Sequence, residues 1–365
     1  MPAEATLGAV RAETYRIPTD APEADGTFAW TATTVVIVEI EAGGRIGLGY
    51  SYTEAGAAGL AANELAEALR GRDATDVPGC WASMQRAVRN MGRSGIAATA
   101  ISAVDAALWD LKGKLLGLPL ATLLGRFRAE VPIYGSGGFT TYSDGQLREQ
   151  LQGWVQRDGC GAVKMKIGTH PDDDPRRVEV ARQAIGDGPG LFVDANGACT
   201  AKQATALARR FAEQGATWFE EPVSSDDLDG LRIVRGYVPA PMEVAAGEYA
   251  YTADDVRTML AAGAIDVMQA DASRCGGITG FLRAAALCEA FHTPFSGHCA
   301  PALHLHAACA APGLRHLEWF HDHVRIERLL FDGAPTPRDG MIRPDLSRPG
   351  LGLEFKRPDA AEYRI

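Results

Sequence analysis

Two short runs, LFVDANG (Leu191–Gly197) and TWFEEP (Thr217–Pro222), carry the reading of the fold. Each is an apolar stretch of strand length that ends in an acid and leads into a helix start. Thr200 with Gln203, and Ser224 with Asp227, have the spacing of a side chain that caps a first helical turn. Outward from this pair the same rhythm recurs. The strand candidates are Val131–Tyr134, Ala162–Ile167, Leu191–Asp194, Thr217–Glu220, Met242–Ala246, Asp266–Ala270, Pro294–Ser296 and His316–Trp319, beginning every 22 to 31 residues. Ser143 with Gln146 and Thr252 with Asp255 repeat the capping signal. Strands so spaced, each feeding a helix, form parallel βαβ units. Eight in a row favour a closed barrel. An open doubly wound sheet is the alternative, but no GxGxxG follows the first strand.

A different pattern precedes the barrel. Thr31–Glu41 is rich in β-branched residues, Gly43-Gly44 is a turn and Ile46–Tyr52 returns, which reads as antiparallel strands. From Gly59 to Leu123 the pattern is helical. Ala97, Ile101, Val104, Leu108 and Leu111 make one apolar face, and Gly117 and Pro119 end it. The last stretch, Arg325–Ile365, is rich in Pro, Gly and Arg, shows no helical pattern and is expected to wrap back onto the N-terminal part. The expected division is a capping domain over residues 1–125, the barrel over 126–324 and a returning segment over 325–365.

A length of 365 residues exceeds what one compact core usually serves, in keeping with two parts. A net charge of −10 without a Lys/Arg block argues against nucleic acid or an anionic membrane as partner. Seven cysteines, an odd number with no CxxC spacing, fit a reducing compartment and neither a disulfide framework nor a zinc motif. Met1–Asp20 lacks a basic-then-apolar export pattern, and the longest apolar run, near Gly95–Leu111, is broken by Thr99, Ser102 and Asp105. A cytoplasmic, soluble protein is expected.

In a barrel of this kind the chemistry lies at the carboxyl ends of the strands. Those positions hold Lys164-Met165-Lys166, Asp194-Ala195-Asn196, Glu220-Glu221-Pro222, Gly247-Glu248, Asp271, His298 and Glu318. Every strand from the second to the eighth ends in an ionisable group, which packing does not explain. Lys164 and Lys166, two apart, face one side. Mutual repulsion and desolvation are expected to lower both pKa values and make a general base, unless the pair sits at a solvated strand end. Asp194, Glu220 and Glu248 come from three successive strands and can converge on one cation. Hard oxygen donors without Cys or His fit Mg²⁺, with Mn²⁺ as the alternative; helix-capping or salt-bridging acids are the bland reading.

Glu221 points to the opposite face from Glu220 and receives no place at the cation. Asn196 shares the face of Asp194 and is either a substrate contact or a turn residue. Asp271 can accept Nδ1–H from His298 and poise it as acid or base, so that Lys166 and His298 face a substrate from opposite sides. Glu318 can serve as a neutral acid donating to a developing oxyanion. His304 and His306 follow Pro301 on a helix and are expected to pack. His321 and His323 (FHDHV) have a metal-like look, but i, i+2 spacing after a strand is weak evidence for ligands, and nothing near Cys299 marks it as a nucleophile.

These residues resemble the mandelate racemase and muconate lactonising enzyme family of the enolase superfamily, in its mandelate racemase subgroup. The resemblance is carried by SAVDAALWDLKGKLLGLPLATLLG (Ser102–Gly125), KMK (Lys164–Lys166), VDANG (Val193–Gly197), EEP (Glu220–Pro222) and GE (Gly247-Glu248). QADASRCGGITG (Gln269–Gly280), SGH (Ser296–His298) and LEW (Leu317–Trp319) complete it. It implies an α/β fold, a (β/α)₇β TIM-like barrel with an α+β capping domain. It also implies Mg²⁺ on Asp194, Glu220 and Glu248, with Lys166 as base on one face and His298 with Asp271 on the other. Lys164 would steer the substrate carboxylate and lower the pKa of Lys166, and Glu318 would donate a hydrogen bond. Specificity would come from cap loops near Ala24–Trp30 and Tyr50–Ala57, with Phe28, Trp30 and Tyr52 as candidates. A homo-oligomer is implied as well.

An α-proton beside a carboxylate is weakly acidic, so the barrier is mostly the cost of a doubly charged enediolate. A metal, Lys164 and Glu318 aimed at those oxygens address that cost. Departure of a β-hydroxyl would give a 2-keto-3-deoxy acid; reprotonation on the opposite face would give racemisation or epimerisation. A pocket with Asn196, two lysines and several acids suits a polyol carboxylate, so dehydration of a sugar acid is the expected reaction. A racemase or epimerase of a 2-hydroxy acid is the alternative. A non-catalytic sugar-acid binder and a Schiff-base aldolase at Lys166 are the readings from other classes.

Overall fold

The structure, a computed structural model, describes residues 5–365. Its N-terminal part is a three-stranded antiparallel sheet, β1 (Val10–Ala24), β2 (Ala29–Ala42) and β3 (Arg45–Tyr52), in that order. The 21-residue helix Ile96–Leu116 lies across it. Contact is close because β3 carries Gly47 and Gly49: a Cβ at Gly47 would sit 2.2 Å from the Ala107 carbonyl, and one at Gly49 2.1 Å from that of Ala103. Gly117, left-handed at φ 66°, ends the helix where expected.

β1 was not legible in the sequence. Its inward residues Tyr15 and Ile17 are interleaved with Arg11, Glu13 and Arg16, and Pro18 stands where the pairing with β2 shifts register. The run therefore lacks the apolar alternation by which β2 declares itself.

The barrel strands are β4 (Val131–Gly137), β5 (Ala162–Lys166), β6 (Gly190–Asp194), β7 (Ala216–Glu220), β8 (Glu243–Ala246), β9 (Val267–Ala270), β10 (Phe295–Gly297) and β11 (Leu314–Phe320). All eight pair in parallel in chain order, and β11 pairs with β4, so the sheet closes and the open alternative is excluded. Three of the four capping signals form complete boxes, at Ser143, Thr200 and Thr252. The fourth does not. Asp227 itself caps the helix Leu228–Tyr237 by accepting from Gly230 N–H, while Ser224 Oγ bonds Asp226.

The expectation that nothing after residue 324 is helical is also corrected: a helix runs His321–Leu330. Its inner face buries Asp322, His323 and Glu327 beside Val324, Ile326 and Leu330, so the polar members hide the apolar stripe. Beyond it, Met341–Ile342 pairs antiparallel with β4. The terminus then reaches the cap sheet, where Ile365 N–H donates to Thr14 O at 3.0 Å.

Inside the barrel, side chains stack in layers because residues two apart on a strand face the same way. Tyr134, Phe192, Trp218, Ala245 and Val267 form a dry aromatic plug, with Phe192 and Trp218 stacked at 5.1 Å. Two residues further along β4, β6 and β7 stand Ser136, Asp194 and Glu220, all fully buried. The plug is the floor on which the charged layer rests.

The cap fastens the loop above β9. The helix Gly277–Ala290 has no side-chain cap of its own. Ser102 Oγ accepts from the N–H groups of Gly276 and Gly277 at 2.9 and 3.1 Å, and Asp105 accepts from Thr279 N–H and Oγ1 at 2.9 and 2.6 Å. Donors a helix start leaves open are thus met by the long cap helix.

Candidate active site

The parallel register aligns Lys166 with Asp194 and Asp194 with Glu220, placing the ends of β5, β6 and β7 at one height. Asp194, Glu220 and Glu248 there offer carboxylate oxygens that all lie within 4.8 Å of one another, and all three residues are buried. Glu248 Oε2, Glu221 Oε1 and Asn196 Oδ1 are buried without a hydrogen-bond partner among the described residues. Like charges packed this closely, with oxygens left unmatched, form a donor set that suits a hard divalent cation.

Lys164 Nζ contacts Glu220 and lies 2.8 Å from Glu318 Oε1 and 3.2 Å from Asp194 Oδ2; Lys166 Nζ lies 2.5 Å from Asp194 Oδ2. This corrects the expected lowering of both amines. Burial does push them down, but the surrounding carboxylates outweigh it and hold both above the ordinary lysine range. Asp194 responds in kind: against the upward push of burial, Lys166 and Lys164 bring it down to about 2.

Glu318 is likewise not the neutral acid expected. Burial favours its protonated form, yet Lys164, His298 and Lys166 keep it well below the usual carboxylate range. Ser136 Oγ donates to its Oε1 at 2.5 Å and Cys299 N–H to its Oε2 at 2.9 Å, bonds that favour the anion.

His298 and Asp271 meet as anticipated, with Nδ1 2.8 Å from Asp271 Oδ2. Ser273 N–H holds the other carboxylate oxygen at 2.6 Å. Burial pushes Asp271 upward, but its hydrogen bond and charge interaction with His298, and Arg274 nearby, bring it far below the ordinary value. Nε2 of His298 is left facing Glu248 Oε2 at 3.3 Å.

Lys166, His298, Asn196 and Glu248 line one cavity of about 360 Å³. The cap closes its other side with Thr27, Phe28, Trp30, Tyr52 and Glu54. Trp30 presents its ring, because its Nε1–H is committed to Glu23 at 2.7 Å, and exposed Phe28 stacks on it at 6.2 Å. Tyr52 stacks on His323 at 3.4 Å and donates to its carbonyl at 3.3 Å. A larger cleft of about 580 Å³ near Ser225 and Tyr251 contains none of the strand-end lysines or His298.

Asn196 takes the left-handed turn conformation at φ 47° and also lines the cavity. Glu221, set aside as facing away, is drawn toward the cluster. The strand ends at Glu220, Glu221 takes φ 36°, and burial together with Glu248 and Asp194 pushes its carboxyl well up. Alternation applies only while the strand lasts.

Arg274 was missed; its Nη1 lies 3.3 Å from Glu248 Oε1 and its Nε 3.5 Å from Asp271 Oδ2. Its position three residues after Asp271 was the available signal. His304 and His306 pack as expected, accepting from the backbone N–H groups of Ala272 and Ala121 at 2.7 and 3.0 Å. His321 pairs with Asp20 at the rim, and His323 Nδ1 accepts from Ala300 N–H at 3.2 Å.

A closed barrel with a cap over a row of strand-end acids and bases is the architecture of proton-abstracting enolase-like enzymes. Residues 13–125 match the model of the mandelate racemase / muconate lactonizing enzyme N-terminal domain, and residues 146–360 match the enolase C-terminal domain-like model. The chain belongs to the mandelate racemase / muconate lactonizing enzyme family. It is 35% identical to the 3,6-anhydro-alpha-L-galactonate cycloisomerase of Streptomyces coelicolor, over 95% of this chain and 97% of that protein. It is 35% identical to the L-talarate/galactarate dehydratase of Salmonella typhimurium, over 83% of this chain and 78% of that one. The crystal structure of that dehydratase with Mg and L-lyxarohydroxamate superposes with a TM-score of 0.88 at 29% identity, covering 99% and 93% of the two chains. A mandelate racemase/muconate lactonizing enzyme-like protein from Rubrobacter xylanophilus superposes at 0.96 with 52% identity, covering 98% and 99%.

Proposed function

We propose that this protein removes the α-proton of a sugar acid and expels the β-oxygen, giving a 2-keto-3-deoxy product. The observation that carries the reading is the presence of Lys166 and His298, the latter paired with Asp271, on one cavity that also reaches Glu248 of the three clustered acids. Its relatives named for dehydration and cycloisomerisation of sugar acids support the substrate class.

Asp194, Glu220 and Glu248 would hold Mg²⁺, with Mn²⁺ suiting the same donors. When bound, the ion supplies positive charge for the substrate carboxylate and offsets the carboxylate field that otherwise keeps Lys166 protonated.

Lys166 Nζ then takes the proton from the α-carbon on one face. Lys164, fully buried beside Glu318, steers the substrate carboxylate and stabilises charge that grows on it. From the other face, His298 delivers a proton from Nε2 to the departing β-oxygen while Asp271 holds Nδ1–H. Water leaves if that oxygen is a hydroxyl; if it is a ring ether, the ring opens and the reaction is an isomerisation. The ring faces of Phe28 and Trp30 and the hydroxyl of Thr27 bound the polyol from the cap side.

Incubation with Mg²⁺ and a library of aldonic, aldaric and anhydro-sugar acids, scored for 2-keto acids, tests the reading. Keto product from at least one member is expected. Solvent deuterium entering the α-position without ketone would reassign the protein as a racemase or epimerase of 2-hydroxy acids, and silence across the library would reject both.

A further inference from the structure

Beside the row of acids stands a second group of donors with different chemistry. His298 Nε2, Cys299 Sγ and Glu318 Oε2 converge: Nε2–Sγ is 3.3 Å, Sγ–Oε2 3.4 Å and Nε2–Oε2 3.7 Å. Consecutive residues on a strand would point apart, but β10 ends at Gly297 and Cys299 takes φ 49°, which returns its thiol to the side of the imidazole. A zinc ion bound tetrahedrally to one imidazole, one thiolate and one carboxylate sets its ligand atoms roughly 3.3–3.6 Å apart, from bond lengths of about 2.0–2.3 Å. Nε2–Sγ and Sγ–Oε2 already stand at that spacing, and Nε2–Oε2 at 3.7 Å lies just outside it.

One further observation points to a cation there. The Nδ1 of His298 is engaged by Asp271 Oδ2 at 2.8 Å, the carboxylate–histidine arrangement that orients a metal-binding Nε2. The donor types separate this group from the Asp194–Glu220–Glu248 set, since nitrogen and sulfur favour zinc whereas Mg²⁺ takes oxygen.

We propose that His298, Cys299 and Glu318 form a zinc site distinct from the carboxylate site, and that zinc bound there switches the enzyme off. Binding replaces the thiol proton of Cys299, which goes to solvent, with a Zn–S bond, and uses the Nε2 lone pair. His298 and Cys299 line the reaction cavity, so the ion's remaining position faces substrate. The inhibitory part rests on the proton-transfer role given to His298 above; the site itself does not.

Titration of the full chain with Co²⁺ at saturating Mg²⁺ reports the site without any turnover. One ion per chain is expected to give a near-ultraviolet thiolate-to-cobalt absorption, bleached by Zn²⁺. Cys299→Ser should lose this absorption. Asp271→Asn should keep it with affinity about 10–100-fold weaker, the usual effect of removing such a supporting carboxylate. Absence of the absorption in the wild type, or its survival in Cys299→Ser, overturns the proposal. Should that variant misfold, zinc X-ray absorption on the wild-type protein decides: a first shell containing one sulfur supports the site, and one without sulfur rejects it. Zinc added over excess Mg²⁺ should then stop turnover and a chelator restore it. A sulfur-bound zinc that leaves turnover intact keeps the site but removes both the switch and the role of His298.

Discussion

The inside of the barrel has two heights, and they obey opposite rules. The lower layer, Tyr134, Phe192 and Trp218, is aromatic and dry, and its contacts stabilise the fold. The upper layer, Ser136, Asp194 and Glu220 two residues further along the same strands, is polar and fully buried, and with Glu248 its acids bring their oxygens within 4.8 Å. Burying such groups costs stability unless each is paired, and near this layer Glu248 Oε2, Glu221 Oε1, Asn196 Oδ1 and Gln269 Oε1 have no partner among the described residues. Hydrogen bonds join the two: Trp218 Nε1–H donates to Glu220 Oε2 at 2.9 Å, and Gln269 Nε2 donates to Tyr134 Oη at 2.6 Å. The division teaches that one layer holds the sheet together while the other is kept for chemistry.

If that division is right, the largest effects come from disarming the upper layer. Stripping the protein with a chelator should abolish turnover and Mg²⁺ should restore it; full activity after stripping would break the comparison at once. Lys166→Ala and His298→Asn should each reduce turnover by about 10²–10⁴-fold, the range for a lost acid–base group. Isothermal titration should show that both still bind Mg²⁺. Lys166→Ala should also lose α-proton exchange in deuterated water, read by NMR, whereas His298→Asn should keep it.

The lower layer should answer in stability instead. Phe192→Ala is expected to cost about 3–5 kcal/mol in denaturant unfolding, as for other buried aromatics, with activity per folded molecule retained. A large fall in that activity would mean that the two layers are not separable.

A carboxylate outside both layers sharpens the contrast. Glu327 is buried with Tyr50 Oη donating to it at 2.6 Å, no lysine stands against it, and burial pushes its pKa up to about 8. The folded protein therefore holds a proton there that the unfolded chain, with an ordinary value of 4.5, has released. Its contribution is fully present below pH 4.5 and is lost as pH rises through 8. Glu327→Gln should flatten the fall in unfolding free energy between pH 5 and 8, by roughly a few kcal/mol at most. An unchanged slope would show that Glu327 is already ionised. The smallest effect belongs to the cap: Trp30→Ala should raise KM by about 5–10-fold, from lost ring contact worth about 1 kcal/mol, with kcat nearly unchanged.

Much of this was legible beforehand because it is written in local periods. A strand rhythm and capping pairs placed all eight barrel strands to within a few residues, and the same-face rule put Lys164 with Lys166. What failed shows where local pattern stops. β1 hides behind alternating charges and Pro18, and the helix His321–Leu330 behind buried polar residues. Glu221 escaped because alternation ends with the strand, and Arg274 because its partner Glu248 lies on another segment.

The order of residues determined which groups come to the barrel mouth, since a strand's period is two and a βαβ unit repeats. It did not determine their ionisation. Lys166 above the ordinary amine range and Glu318 below the usual acid range follow from which opposite charges burial sets within about 3 Å of each. Those distances arise between Lys166 and Asp194, 28 residues apart in the chain, and between Lys164 and Glu318, on strands still further apart. Coulomb energy in a poorly solvated interior depends on such separations, and no one-dimensional pattern contains them.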